Sequence, residues 1–440
     1  MKNIWICCLI LLCAPALQAS ELNADEKVSS AHLLHVKTTS QAYALQLLQA
    51  GVSPAVSALT ESEILLLKAT IALRAGQPNQ ALNVLQGYTN NHDPLLDMLE
   101  AEAYRRSAVQ AVASAGDYGK GMQDDQQQLQ AMSLSEGLRE ADVRLDAFLA
   151  RLGTNEGMPL DLLQVDDSIY SIFLVDKARS RMFVYARNAA GILEQVADEY
   201  VVTGEQKGDK QVRGDARTPN GVYRFVQRLQ GKKLENRYGP VAYPIDYPNA
   251  LDVLHRKSGS GIWMHGYAKG VGRRPPRDTK GCFALPNPRL LVMSDYIRLG
   301  KSWVIVGNNF EFGNNEARRA LRHSVQQMLK AWRKDWTTLN TPAYLAFYHD
   351  QFHSGKYDLA AWKRYKQRVN GSKSFIDIDI SGLTLIHDNN IWPEGEVVVA
   401  EFNQLYRSSN YQDSSRKRLY LARTDKQQPW RILLEESLTP

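Results

Sequence analysis

Two short segments hold residue types that can do covalent chemistry together: Ile262-Trp-Met-His-Gly266 and, after the connecting stretch 267–280, Gly281-Cys-Phe-Ala-Leu-Pro286. A thiol is a useful nucleophile only as thiolate, and a free cysteine has a pKa of about 8.5. A nearby imidazole can take the proton and hold the ion pair, as in Cys–His hydrolases. Cys282 with His265 therefore points to acyl transfer through a thioester. The glycine before the sulfur lets the backbone approach a substrate carbonyl, and the N–H groups of Gly281 and Cys282 are expected to stabilise a developing oxyanion. On this reading the sulfur stands ionised, and Cys282 alkylates faster than a model thiol at neutral pH.

Such a pair needs strands to position it. His265 is expected to end one strand and Cys282 to begin another, since adjacent strands lie about 4.8 Å apart and let the two side chains meet. From about 167 the pattern supplies strands. Ser168-Ile-Tyr-Ser-Ile-Phe-Leu-Val175 reads as a buried strand, and Arg181-Met-Phe-Val-Tyr185 as its hairpin partner. Glycine, proline and aromatic residues punctuate 200–310, and Trp303-Val-Ile-Val306 closes an all-β unit.

The His265-Gly266 pair, the Thr279-Lys-Gly-Cys282 run and the upstream Gly214-Asp-Ala-Arg-Thr-Pro-Asn-Gly-Val-Tyr223 run together resemble an L,D-transpeptidase catalytic domain of the YkuD type. The resemblance covers roughly 167–307, about a third of the chain. It implies Cys282 as nucleophile, His265 as its general base and the Gly266 carbonyl as the group that orients the imidazole. The implied reaction is attack on the L,D peptide bond before the terminal D-alanine of a peptidoglycan stem. A second stem amine (transpeptidation) or water (carboxypeptidation) then resolves the acyl-enzyme. Two positions depart from the commonest pattern. The usual Ser-His-Gly-Cys is Thr279-Lys-Gly-Cys282, and the usual arginine two residues after the cysteine is Ala284. These changes resemble the subgroup whose members trim stems or act on stem-linked proteins, some of which carry a C-terminal nuclear-transport-factor-like domain. Transpeptidase describes the family. L,D-carboxypeptidase is the alternative within enzymology, and a non-catalytic cell-envelope scaffold is the alternative outside it.

The stretch 267–280 carries Lys269, Arg273, Arg274, Arg277 and Lys280 against one acid, Asp278. It reads as a basic lid over an anionic peptide, whose carboxylates pair with arginine forks, against the plainer reading of a solvated loop. Arg217, Arg273, Arg274, Arg277 and Lys280 are the candidate substrate-binding residues, although Arg217, Thr218 and Pro219 also suit a turn beside the cleft. Trp263 and Tyr223 read as core. His349-Asp-Gln-Phe-His353 has the i,i+4 spacing of metal-binding pairs, but lacks the zinc-peptidase glutamate and a third ligand. The order of His265 before Cys282 argues against a papain-like protease, and no G-x-S-x-G or Walker motif occurs. No metal or organic cofactor is implied, since the sulfur supplies the nucleophile.

Flanking units complete the chain. Over 25–152, Ile64, Leu65, Leu67, Ile71 and Ala72 repeat near period 3.6, and Gly76-Gln-Pro78 breaks the pattern before a second helix. These units resemble degenerate tetratricopeptide repeats or an ordinary helical bundle, and offer a possible surface for a cell-envelope protein partner. Residues 120–152 read as a long polar helix. Over 314–440, Leu321, Val325, Met328, Leu329, Trp332 and Trp336 share one helical face. Short helices are expected near 341–351 and 358–369, then strands at Phe375–Ile380, Glu396–Tyr406, Arg416–Arg423 and Trp430–Glu435. Helices before a meandering sheet give an α+β order that resembles the cone-like nuclear-transport-factor-like fold. Its aromatic residues fill a core or line a pocket for glycan or stem peptide.

Composition agrees with a multidomain globular chain. The 440 residues are 44% hydrophobic and 23% charged, which excludes bulk disorder and disulfide-rich or collagen-like classes. A net charge of +6 suits an anionic polymer but is too small to imply nucleic acid. Cys7, Cys8 and Cys13 lie in an opening run with an early lysine, an apolar stretch Ile4–Leu12 and small residues near Ala16 and Ala19. Residues 1–19 thus read as a secretory signal peptide, and Leu12 before Cys13 argues against a lipoprotein. The expected product is periplasmic or exported, tethered only if uncleaved, with Cys282 as its sole thiol and peptidoglycan stem peptides as its partners.

Overall fold

The computed structural model describes residues 41–50, 59–86, 94–114, 138–146, 148–149, 157–313 and 316–438. The expected signal peptide and most of the expected polar helix over 120–152 lie outside them. The N-terminal unit is helical. Thr60 caps the helix Glu61–Arg74 by accepting the Glu63 N–H at 3.2 Å. Pro78 opens the next helix, where its missing N–H costs nothing. Leu66, Leu67 and Ile71 pack with Leu95, Leu99 and Leu145 in one apolar cluster. Glu63 receives Arg144 at 2.6 Å and Arg181 at 2.7 Å. Arg181 begins a strand of the central unit, so this shared carboxylate fastens the helices to it.

The central unit is built on two main sheets face to face, together with a two-stranded sheet of Thr203–Gly204 and Arg277–Thr279. In the first, the order is Leu193–Tyr200, Arg181–Arg187, Ser171–Asp176, Ser302–Gly307, Gly221–Arg224. The expected hairpin forms with Ser171 opposite Ala186, and the closing strand runs parallel to the opening one. The second sheet orders Phe283–Ala284, Trp263–His265, Val241–Pro244, Leu229–Gln230. Phe173, Val175, Tyr223, Phe225, Tyr243, Met264 and Phe283 fill the space between them. The strand Ser171–Asp176 is buried along its whole length because both its faces are covered. Ile172 and Leu174, on the outer face, meet Ile386, Val397, Val399 and Tyr420 of the C-terminal unit. A continuous apolar run is what double burial requires.

The C-terminal unit wraps a seven-stranded sheet around the helices Glu316–Thr337, Thr341–Leu345 and Leu359–Gly371. Val325, Met328, Leu329, Trp332 and Trp336 face the sheet as expected, against Ile378, Val398, Ala400, Leu419 and Ile432. Alternate residues of the same strands face the central unit, so one sheet serves two cores. Three expectations are corrected. The helix near 341–351 stops at Leu345, and Tyr348–Ser354 is a strand. The strand expected to end at Ile380 continues to Trp392, through a register shift between Ser381 and Thr384, where Gly382 takes a φ of 65°. Leu162–Gln164 forms an unexpected edge strand of this C-terminal sheet, antiparallel to Leu385 and Ile386. The central unit is therefore inserted after the first strand of the sheet that follows it. No helix among the described residues is long and apolar enough to cross a membrane.

Candidate active site

His265 ends the strand Trp263–His265, and Cys282 stands immediately before Phe283–Ala284. These strands pair in parallel, Phe283 beside Met264 and Ala284 beside His265. Met264 and Phe283 point into the core. Strand alternation then sends Cys282, Ala284 and His265 to the opposite face, with the sulfur two positions back from the imidazole along its strand. Diagonal neighbours of this kind lie about 7–8 Å apart, and among the described residues no hydrogen bond joins the sulfur to the imidazole. The sulfur contacts the Gly261 carbonyl at 3.5 Å and accepts the Trp263 N–H.

Hydroxyls and glycines fix the nucleophile's backbone. Thr279 Oγ1 donates to the Cys282 carbonyl at 2.6 Å and accepts the Gly281 N–H at 3.2 Å. Thr218 Oγ1 donates to the same carbonyl at 3.3 Å, and receives the Gly204 N–H at 2.9 Å. Gly281 has a φ of 123°, and a Cβ there would sit 2.9 Å from the Arg217 carbonyl, so only glycine fits. Because the Gly281 N–H is spent on Thr279, the expected oxyanion pair is reduced to the Cys282 N–H. On the other strand, His265 Nδ1 lies 2.6 Å from the Gly266 carbonyl. A carbonyl only accepts, so Nδ1 carries the proton and Nε2 keeps its lone pair. Gly266 is in turn packed against Asn287, whose Oδ1 accepts the Tyr267 N–H at 2.8 Å and whose Nδ2 donates to the Tyr267 carbonyl at 3.0 Å.

The electrostatics oppose a standing thiolate. Burial pushes the Cys282 thiol up to about 11, against the Trp263 N–H and the charges of Arg274, Arg237 and Lys210. Burial pushes the His265 imidazole down to about 4, with the Gly266 carbonyl opposing and Arg274 and Arg237 adding to the shift. Both shifts favour the neutral forms, while Cys282 itself is only partly buried. A thiol near 11 is about 300-fold poorer in thiolate at pH 7 than one at 8.5; its greater nucleophilicity returns about tenfold. Cys282 is therefore expected to alkylate with iodoacetamide roughly twentyfold more slowly than a model thiol at neutral pH. The rate, followed at Cys282 by peptide mass spectrometry, should climb steadily from pH 7 to 10. A plateau near neutrality would restore the ion pair.

The remaining expected residues are dispersed. Arg274 is tied to the Asp278 carboxylate at 2.7 Å and to its carbonyl, and its own carbonyl accepts the Tyr200 hydroxyl at 3.0 Å. Arg277 begins a short strand parallel to Thr203–Gly204 and faces a separate cavity beside Lys177 and Lys207. Lys280 projects outward and pairs with Glu205 at 2.7 Å. The second half of the connecting stretch is thus pinned rather than free to swing. Arg217 carries a buried Nε without a hydrogen-bond partner, beside Gly281. Tyr223 is core, its hydroxyl held by Asn220 and Asp252. Trp263, by contrast, is half-buried and packs on Tyr238 at 4.8 Å. Tyr238 also stands edge-on to His265 at 5.1 Å, and Arg237 lies 4.8 Å over the Tyr238 ring. Neither residue belongs to a motif, so only the fold brings them here. His349 and His353 lie on a strand, and no metal-holding cluster occurs among the described residues. In the C-terminal unit Trp332, Tyr344 and Tyr348 are core, whereas Trp336 and Trp362 border a cavity of about 790 Å³ shared with Lys366 and Tyr406.

Residues 170–306 match the YkuD family, described as the L,D-transpeptidase catalytic domain. Residues 324–436 match the C-terminal NTF2-like domain of Cds6. Among solved structures, the helical cell shape determining protein Pgp2 from Campylobacter jejuni is 27% identical, with a TM-score of 0.54 over 63% of this chain and 96% of that one. A point mutant of it gives 26% identity and a TM-score of 0.55 over 66% and 96%. Bd1075 from Bdellovibrio bacteriovorus, at 23% identity, shares the fold with a TM-score of 0.55 over 64% of this chain and 98% of its own. No curated relative matches the chain. The chain thus carries a helical N-terminal region, a YkuD-type L,D-transpeptidase catalytic domain and a C-terminal NTF2-like domain. A catalytic domain of this type modifies peptidoglycan.

Proposed function

We propose that the chain is an exported enzyme that opens the L,D bond before the terminal D-alanine of peptidoglycan stems, with Cys282 as nucleophile and His265 as base. The observation that carries this reading is the shared face: sulfur and imidazole issue from adjacent parallel strands, and Nε2 is left with its lone pair. With both groups neutral, Nε2 takes the thiol proton as the sulfur attacks the scissile carbonyl. The Cys282 N–H stabilises the oxyanion. Collapse forms the thioester and breaks the C–N bond, and the imidazolium returns its proton to the departing D-alanine amine. Water or a second stem amine then resolves the thioester, with Nε2 again accepting the proton. Ala284 in place of the usual arginine, with Lys280 before the Gly-Cys pair, favours water, hence carboxypeptidase trimming. The likeness to a helical cell shape determining protein supports a role in setting cell shape.

Incubation of the purified chain with tetrapeptide muropeptides tests this. Tripeptide with free D-alanine is the expected product. Cross-linked dimers would make the acceptor an amine, and no product would overturn the enzymatic reading in favour of a scaffold.

A further inference from the structure

We propose that Arg237 binds the terminal carboxylate of the departing residue, and so restricts the enzyme to stems that end in a free acid. This rests on the acyl-transfer reading above and deepens it. A stem that loses its last residue presents a carboxylate one residue beyond the bond that breaks. The site therefore needs a cation on the leaving-group side of the imidazole. Ala284, beside His265, offers no donor.

Two guanidiniums act on both the sulfur and the imidazole, those of Arg237 and Arg274. Arg274 is committed to Asp278 through both its carboxylate and its carbonyl. Among the described residues the ion-pair partner of Arg237 is Glu235, two residues earlier, at 3.0 Å, and its other side-chain neighbour is Tyr238. The Arg237 and Glu235 side chains are 65% and 67% exposed, and an exposed pair of this kind contributes little. Arg237 can exchange Glu235 for a substrate carboxylate at small cost, and its planar fork matches a carboxylate with two parallel hydrogen bonds.

The position of Arg237 is built rather than incidental. It lies in the single 3₁₀ turn Asn236–Tyr238, which ends at Gly239 with a φ of 72°. A Cβ at Gly239 would sit 2.9 Å from the Gly266 Cα, so the turn packs directly on the His-Gly pair. The Tyr238 carbonyl accepts the Gly266 N–H at 2.9 Å. The Tyr238 ring bridges Trp263 and His265, and the Arg237 guanidinium rests on it at 4.8 Å. The turn thus holds one exchangeable cation on an aromatic floor that begins at the catalytic base.

The test compares two synthetic tetrapeptide stems, one ending in D-alanine and one in D-alaninamide, with the full chain and with Arg237→Ala and Arg237→Lys. The unaltered enzyme should prefer the acid by about ten- to a hundredfold in kcat/KM, mostly through KM. Arg237→Ala should bring the acid-to-amide ratio close to one, and Arg237→Lys, which keeps charge without the fork, should fall between. An unchanged ratio in Arg237→Ala, or an unaltered enzyme that takes both stems equally, would overturn the proposal while leaving acyl transfer intact. If neither stem yields Cys282-dependent product, the acyl-transfer reading fails and the carboxylate site falls with it.

Discussion

Cys282→Ala is expected to reduce turnover of a tetrapeptide stem by several orders of magnitude, to the limit of detection, without changing the thermal stability. The sulfur is the nucleophile aimed from the shared face of the two catalytic strands, and its residue is held mainly through its backbone carbonyl, with one long side-chain contact to the Gly261 carbonyl. Trimming it to a methyl group therefore leaves the Thr218 and Thr279 contacts in place. His265→Ala should cost about 10²–10⁴-fold, the usual range for a lost general base. Because the two groups act as one unit, the double variant should be no slower than Cys282→Ala alone. Intact-protein mass spectrometry supplies the decisive readout: the unaltered chain should gain the mass of the tripeptide acyl group, and neither variant should. The pH profile follows from the same pair. The imidazole becomes unreactive only when protonated, which its lowered value of about 4 defers to strongly acidic solution. The acid limb of kcat/KM should thus fall near pH 4 instead of near 6.5. Retained turnover in Cys282→Ala would end the cysteine mechanism.

The two candidate residues can be named from the sequence because their chemistry is written in local words: a His-Gly at the end of an apolar run, a Gly-Cys before another. The Ser171–Asp176 and Ser302–Gly307 strands were legible for a similar reason, since double burial leaves an unbroken apolar string. What failed depended on distant parts of the chain. Leu162–Gln164 looks like linker, and its pairing with Leu385 and Ile386 joins segments more than 200 residues apart. The strand through Trp392 was cut short because Ser381-Gly382 imitates a turn and Asp388-Asn-Asn390 imitates a loop. Tyr238 and Arg237 carry no motif, and reach the site only because Gly239 packs on Gly266. The charge of the sulfur is not legible in the sequence because local spacing says nothing about desolvation. The fold sets Cys282 and His265 on one face of adjacent strands and desolvates them, the imidazole more fully than the partly exposed cysteine, and that shifts both toward the neutral form.

The joint between the catalytic and C-terminal domains depends on one carboxylate, and Glu401→Gln should cost about 3–5 kcal/mol, the range for breaking a buried ion pair. Glu401 is 1% exposed on the strand Gly395–Ser408. It takes Arg418 at 3.1 Å and Arg416 at 2.5 Å from the neighbouring strand, and Arg224 from the edge of the catalytic sheet. Arg224 and Arg418 both lie against the Trp303 ring, at 4.7 and 5.7 Å. The amide keeps the volume but removes the charge, and leaves three guanidiniums crowded together, with Asp246, at 3.8 Å from Arg418, as their acidic neighbour within ion-pair distance among the described residues. Burial raises the Glu401 carboxyl, but Arg224, Arg418 and Arg416 outweigh it and hold the group below the ordinary range. The sign follows: this stabilisation is complete above the unfolded carboxyl value of about 4.3 and disappears as pH falls through the lowered folded value. Thermal unfolding of Glu401→Gln at pH 7 should start several degrees lower, with the C-terminal domain separating first. Between pH 5 and pH 3 the unaltered chain should lose more stability than the variant, since only the former has this carboxylate to protonate. Turnover measured well below the transition should persist, because Glu401 touches neither catalytic strand. A melting curve that the substitution leaves in place would mean that the apolar contact of Ile172 and Leu174 with Val397 and Val399 holds the two domains together without the charge cluster.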